Sequence, residues 1–207
     1  MGKRKIYTGD AACLYRKCRP VERFDARLGA LLDDLAETMY AAEGVGLAAP
    51  QVGILRRAVV IDCGDGLVEL VNPEILEASG EQGCFEGCLS FPGESGYVVR
   101  PNSVRVRAYD RHGDLYEYEA EGLFARAVMH ETDHLDGLVY KRLVGDILVL
   151  WDAAHLPQGF LQKLYDTARL CVQPVLVRGE RIQNFRGLTP GLQLVLDAGK
   201  NRKGLSA

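Results

Sequence analysis

No apolar run in this 207-residue sequence approaches the roughly 20 residues needed to cross a membrane as a helix, so a membrane-spanning role is not expected. The first six residues, Met1-Gly2-Lys3-Arg4-Lys5-Ile6, carry a basic cluster with no apolar stretch behind it, unlike a secretory signal. Ile6 stands where a myristoylation motif wants Ser or Thr. An excess of positive charge is also lacking. The formal net charge is −3, so no global basic field recruits DNA or RNA, although a local patch stays open. The six cysteines, at 13, 18, 63, 84, 88 and 171, form no Cys-x-x-Cys pair and no evident disulfide framework. That pattern points to a reducing cytoplasm, with five of the six as ordinary buried thiols. Internal repeats and low-complexity segments are absent too.

What remains is an ordinary globular composition, 47% hydrophobic and 26% charged, on a chain long enough for one sizeable core with an appendage. Residues 25–43 predict an amphipathic helix: Asp25 can cap it, Leu28, Leu31, Leu32, Leu35, Met39 and Ala42 recur at helical spacing, and Gly44 is the expected stop. Residues 58–61 and 67–71 predict strands joined through Gly64-Asp65-Gly66. Residues 97–108 alternate around Pro101-Asn102, and a turn at 111–114 leads to a strand at 115–120, an antiparallel hairpin. A second helix is expected over 122–136, ended by Gly137. Strands and hairpins without a βαβ rhythm indicate α+β architecture. Beyond about 146 the composition changes. A third helix is expected at 158–172, a short strand at 192–196, and a basic end at Lys200, Arg202 and Lys203. The expected division is therefore a catalytic domain over 1–146 and a C-terminal extension over 147–207.

The sharpest chemical feature is His130-Glu131-Thr132-Asp133-His134. Residues four apart on a helix share a face, so both imidazoles can address one metal ion. Glu131, beside the first histidine, can reach a water in the metal's open position. The pattern His-Glu-x-x-His arises by chance in roughly one chain in a hundred, and the plain alternative is two surface histidines. A catalytic metal needs a third protein ligand. Cys88, in Glu86-Gly87-Cys88-Leu89-Ser90 ahead of Phe91-Pro92-Gly93, is the candidate, with Cys84 nearby as a substitute lacking the flanking pattern. The third segment is Gly44-Val45-Gly46-Leu47-Ala48-Ala49-Pro50-Gln51. Its glycines permit unusual backbone conformations, its alanines keep the surface low, and the Gln51 amide can donate to an oxyanion.

These three segments, in this order, resemble the signature motifs of the peptide deformylase family. The resemblance covers about residues 10–145. It implies an α+β fold with antiparallel sheets packed around the central helix that bears the two histidines. It also implies metal-dependent hydrolysis of the N-formyl group from the formylmethionine of nascent polypeptides, with release of formate. The implied metal is one divalent ion per chain, Fe(II) foremost, with zinc, nickel or cobalt able to replace it, held by Cys88, His130 and His134. Glu131 would act as general base and then acid, while Gln51 and the Leu89 N–H stabilise the developing oxyanion. The peptide would pair with backbone near Val45 and Gly46, and its methionine would enter a pocket walled by Phe91, Leu123 and Val128. Asp133 is expected to orient an imidazole or cap backbone, and Glu86 to pair with Arg100. Two departures stand out: Met129 replaces a glutamine common in the family, and the chain beyond 146 does not resemble the usual C-terminal helix. The ribosome near the nascent-chain exit is a candidate partner through the basic end. Competing readings are a zincin-type protease using His155 as third ligand, and a non-catalytic relative that binds formyl peptides.

Overall fold

Asp25 starts the first helix, α1 (Ala26–Ala41), because its carboxylate accepts from the N–H groups of Arg27 and Leu28 that the first turn leaves unpaired. The computed structural model describes residues 2–144 and 148–150. Leu28, Leu31, Leu32, Leu35 and Met39 make the buried stripe of α1. The helix closes with Glu43, not Gly44, in the left-handed region (φ 55°), and the Gly44 N–H returns to the Met39 carbonyl at 2.9 Å.

Five strands form an antiparallel sheet in the order β1-β2-β3-β6-β7. They are β1 (Gly46–Ala48), β2 (Ala58–Ile61), β3 (Val68–Ser79), β6 (Ser103–Tyr109) and β7 (Leu115–Glu121). A second antiparallel sheet holds β4 (Gln82–Gly87), β5 (Glu94–Arg100) and β8 (Leu148–Leu150) in that order. The β2–β3 turn closes on Asp62, whose carboxylate accepts from the N–H groups of Gly64 and Gly66. β3 runs eight residues past the predicted end at 71. Asn72-Pro73 reads as a strand breaker, yet the register slips there, Asn72 sits at φ 51°, and its side-chain amide exchanges two 2.8 Å bonds with the backbone of Val21. Proline lacks an N–H and is tolerated at such a bulge. β1 and β4 were not expected as strands, because a glycine-rich segment carries little alternation. The β6–β7 hairpin forms as expected.

The second helix, α2 (Gly122–Leu135), contacts β1, β2, β6 and β7. Ala125, Ala127, Val128 and Leu135 join Val59, Ile61, Leu70, Val104 and Val106 in one apolar cluster. α1 covers the other face, with Ala58, Val60 and Val71 in its cluster. β2 is therefore buried on both sides, which explains the unbroken Ala58-Val59-Val60-Ile61 run. A third cluster gathers Leu14, Cys88, Phe91, Val98, Val139 and Tyr140. The α+β class with antiparallel sheets agrees with the sequence. The helix expected at 158–172, the strand at 192–196, the basic end and His155 lie outside the described residues, as does the extension beyond 150.

Candidate metal centre

α2 presents His130 and His134 one turn apart on its buried side, at 3% and 1% exposure. The burial rules out the plain reading of two surface histidines. Their rings lie 5.1 Å apart, nearly edge to face. The end of β4 delivers Cys88 to the same place. The ligand atoms of Cys88, His130 and His134 all fall within 4.8 Å of one another, and the Cys88 Sγ is 3.2 Å from His134 Nε2. Cys84 lies four residues earlier on β4, opposite Val98, and takes no part in this cluster.

The His130 ring is set by its far side. Nδ1 lies 3.0 Å from the Glu86 carboxylate, leaving Nε2 to face the cluster. Glu86 is fully buried and accepts from the Arg100 guanidinium and from Arg126. Burial alone would raise its pKa, but the bonds from His130 and Arg100 hold it well below the usual carboxylate range. The pairing of Glu86 with Arg100 is as expected. Asp133 is not: it accepts from Arg100 at 2.8 Å, and the imidazole is oriented by Glu86 instead. Arg126, Ser90 and Tyr140 also belong to the site. Arg126 was signalled by a charge on the apolar side of α2, four residues before His130. Nothing in the sequence marked Tyr140, whose ring stacks on His130 at 6.0 Å.

Gln51 joins the glycine segment to the cysteine loop. Its Oε1 accepts from the Ala48 N–H at 2.9 Å, and its Nε2 donates to Ser90 Oγ at 3.2 Å and approaches Cys88 Sγ at 3.4 Å. Among the described residues no hydrogen bond engages the Leu89 N–H. Glu131 is buried beside the cluster, and its Oε2 has no partner among the described residues. Burial raises its pKa to about 7. His130 and Arg100 oppose that rise, and Glu86 and Asp133 add to it. Such a carboxyl is poised for proton transfer near neutral pH.

The two glycines act through space rather than through backbone freedom, since neither has a positive φ. A Cβ on Gly46 would collide with the Glu131 carboxylate, and one on Gly44 would lie 2.7 Å from Leu89 Cδ1. Val45 is half-buried, and its carbonyl accepts from the Asp62 N–H. The three residues of the proposed methionine wall sit in different surroundings. Phe91 packs with Leu14 and Tyr140, Val128 is fully buried with Val59 and Leu70, and Leu123 is half-buried. Phe91 instead borders a cavity of about 400 Å³ with Gly9, Tyr15, Glu94 and Lys141.

A thiol and two imidazoles converging in a buried site, with one imidazole held by a carboxylate, suit a first-row divalent metal. The unpartnered Glu131 oxygen leaves a polar group for whatever occupies an open position. The chain therefore fits a Cys-His-His metal. The family description for polypeptide deformylase matches residues 3–145. The chain belongs to the polypeptide deformylase family. It is 56% identical over 140 residues to the peptide deformylase of Caldicellulosiruptor bescii, covering 68% of this chain and 84% of that one. The structure of the Thermotoga maritima peptide deformylase superposes with a TM-score of 0.68 at 39% identity, over 69% of this chain and 98% of that one. A peptide deformylase from Acinetobacter baumannii with Met-Ala-Ser bound superposes at 0.66 and 33% identity, over 69% of this chain and 98% of that one. Membership sets aside the zincin reading, which shares only the helical motif.

Proposed function

We propose that the chain removes the N-formyl group from formylmethionyl polypeptides as a metal-dependent amidohydrolase, with Glu131 as its proton carrier. The observation that carries the role of Glu131 is its buried carboxyl, one oxygen of which has no partner among the described residues, beside the Cys88, His130 and His134 cluster. Those three side chains would hold the ion. A divalent cation there would supply Lewis acidity, lowering the pKa of water toward neutrality and polarising the formyl oxygen. Glu131 takes a proton from the attacking water and passes it to the departing amine. The Gln51 Nε2 and the free Leu89 N–H donate to the oxygen as negative charge develops on it. β1 is an edge strand, so an extended peptide can pair beside Val45 and Gly46. The bound Met-Ala-Ser of the Acinetobacter relative supports a peptide with methionine first. Phe91, Leu123 and Val128 remain proposed contacts of that methionine.

Fe(II) is the proposed native metal, with zinc, nickel and cobalt suited to the same donors. The proposed setting is the cytoplasm, at the ribosome. Lys200, Arg202 and Lys203 would dock on ribosomal RNA. Truncation after Ala198 should then weaken ribosome binding while sparing turnover of a short peptide, and unaltered binding would refute the docking.

The activity is tested by formate release from formyl-Met-Ala-Ser, compared with acetyl-Met-Ala-Ser and an unformylated internal peptide. Only the first should react. Glu131→Gln should abolish turnover with metal still bound, because a carboxamide cannot accept the proton. Near-native activity in that variant, or cleavage of the internal peptide, would overturn the reading.

A further inference from the structure

The two sides of the metal cluster belong to different apolar cores. Cys88 sits with Leu14, Phe91, Val98 and Tyr140, whereas the apolar residues of α2 pack into the cluster of Val59, Leu70 and Val106. Side-chain bonds join the β4–β5 hairpin to α2. Arg100 links β5 to Asp133, and Glu86 links β4 to His130. Arg126 does more than either. It is fully buried, and its Nη1 donates to Glu86 on β4 and to the Val98 carbonyl on β5 at 3.2 Å, while its Nη2 donates to the Gln82 carbonyl at 2.8 Å.

We infer that Arg126 is a positioning residue, a strap that holds the cysteine side of the metal centre in register with the histidine side. The inference rests on the metal reading of Cys88, His130 and His134. Elementary electrostatics argues against a buried guanidinium near a cation site, because it repels the ion. A purely electrostatic role would therefore make Arg126 harmful to metal binding. Its geometry supplies the compensating benefit. One planar fork reaches two strands and a carboxylate, and a compact ammonium cannot reproduce that spread. Glu86 keeps two bonds from Arg100 without it, so the part unique to Arg126 is the hold on the Gln82 and Val98 carbonyls.

The charge and strap roles predict opposite results. The test loads the full chain and its Arg126→Met and Arg126→Lys variants with cobalt(II), then follows release into excess EDTA and the thiolate-to-cobalt absorption band. If Arg126 is a strap, both variants release cobalt faster, the Met variant by about 10–100-fold, as for other groups that orient metal ligands. Both also change the band, since the Cys88 sulfur moves relative to the ion. If charge is what counts, Arg126→Met holds cobalt more tightly and Arg126→Lys matches wild type, and the inference is overturned. Release and spectra unchanged in both overturn it as well. Arg126→Lys, the milder change, carries the test should the Met variant not fold. Wild-type protein that binds no stoichiometric cobalt would overturn the metal reading itself, and this inference with it.

Discussion

Replacing Gly46 by alanine adds a single methyl group, yet it should disable the site. The new Cβ would lie 2.9 Å from both the Cγ and the Cδ of Glu131 and closer still to one carboxylate oxygen, where real carbon contacts essentially never fall. Something must shift. Gly46 is held in β1, paired antiparallel with Ile61 of β2, and Glu131 is held on α2 beside His130 and one turn from His134. The softest coordinate is the Glu131 side chain. Overpacking of this kind typically costs about 1–3 kcal/mol of stability. Displacing a reacting group by about 1 Å can cost on the order of 10²-fold in rate. We expect Gly46→Ala to fold, to keep its metal, to lose about 1–3 kcal/mol in urea denaturation, and to lose at least about 100-fold in kcat on formyl-Met-Ala-Ser. Metal content separates this from damage to the cluster. A variant with kcat within threefold of wild type and unchanged stability would refute the reasoning, because it would mean that Glu131 is not seated against Gly46.

Cys88→Ser should lower metal content or shift metal preference, whereas Cys84→Ser should leave metal content nearly unchanged; elemental analysis of the two decides, and the reverse pattern would reject Cys88 as a ligand. With Fe(II) loaded, activity should decay in air and be protected by catalase or reductant, while nickel-loaded protein survives longer, since both iron and thiolate are open to oxidation; equal decay would argue against oxidation at the centre. The Asp62 carboxyl is held below its ordinary pKa by the Tyr40 hydroxyl and then by the Gly64 and Gly66 N–H groups. Its stabilising contribution should therefore be present above the unfolded pKa of about 3.9 and lost as pH falls through the lower folded value. Asp62→Ala should flatten that part of the acid-stability curve, and a curve parallel to wild type would count against it.

Much of the fold was legible because local rules and tertiary packing agree there. The cap at Asp25, the leucine stripe of α1, the Asp62 turn and the β6–β7 hairpin each follow from side chains within a few residues of one another. The histidine pair was legible for the same reason, since helical spacing alone puts both rings on one face. Identifying Cys88 took the pattern of its neighbours, because a thiol on a glycine-flanked segment has no periodicity of its own. Strands β1 and β4 were hidden because their glycine-rich segments carry little alternation, and the run of β3 past Pro73 because it pairs with β6, about thirty residues on, while an asparagine side chain from the bulge secures Val21, 51 residues away.

The sequence by itself therefore determined the chemistry on offer: two imidazoles one turn apart, a carboxyl beside them, a thiol and an amide on loops. Tertiary structure decided which side chains meet and in what electrical surroundings. It buried Glu131 with one oxygen unpartnered among the described residues, turned His130 with Glu86, and sent Asp133 to Arg100 rather than to an imidazole. It also made Gly46 necessary for want of space rather than for backbone freedom. Hydrogen bonds and desolvation act over a few ångströms of space, and residues 33 or more positions apart acquire those distances only when the chain has folded.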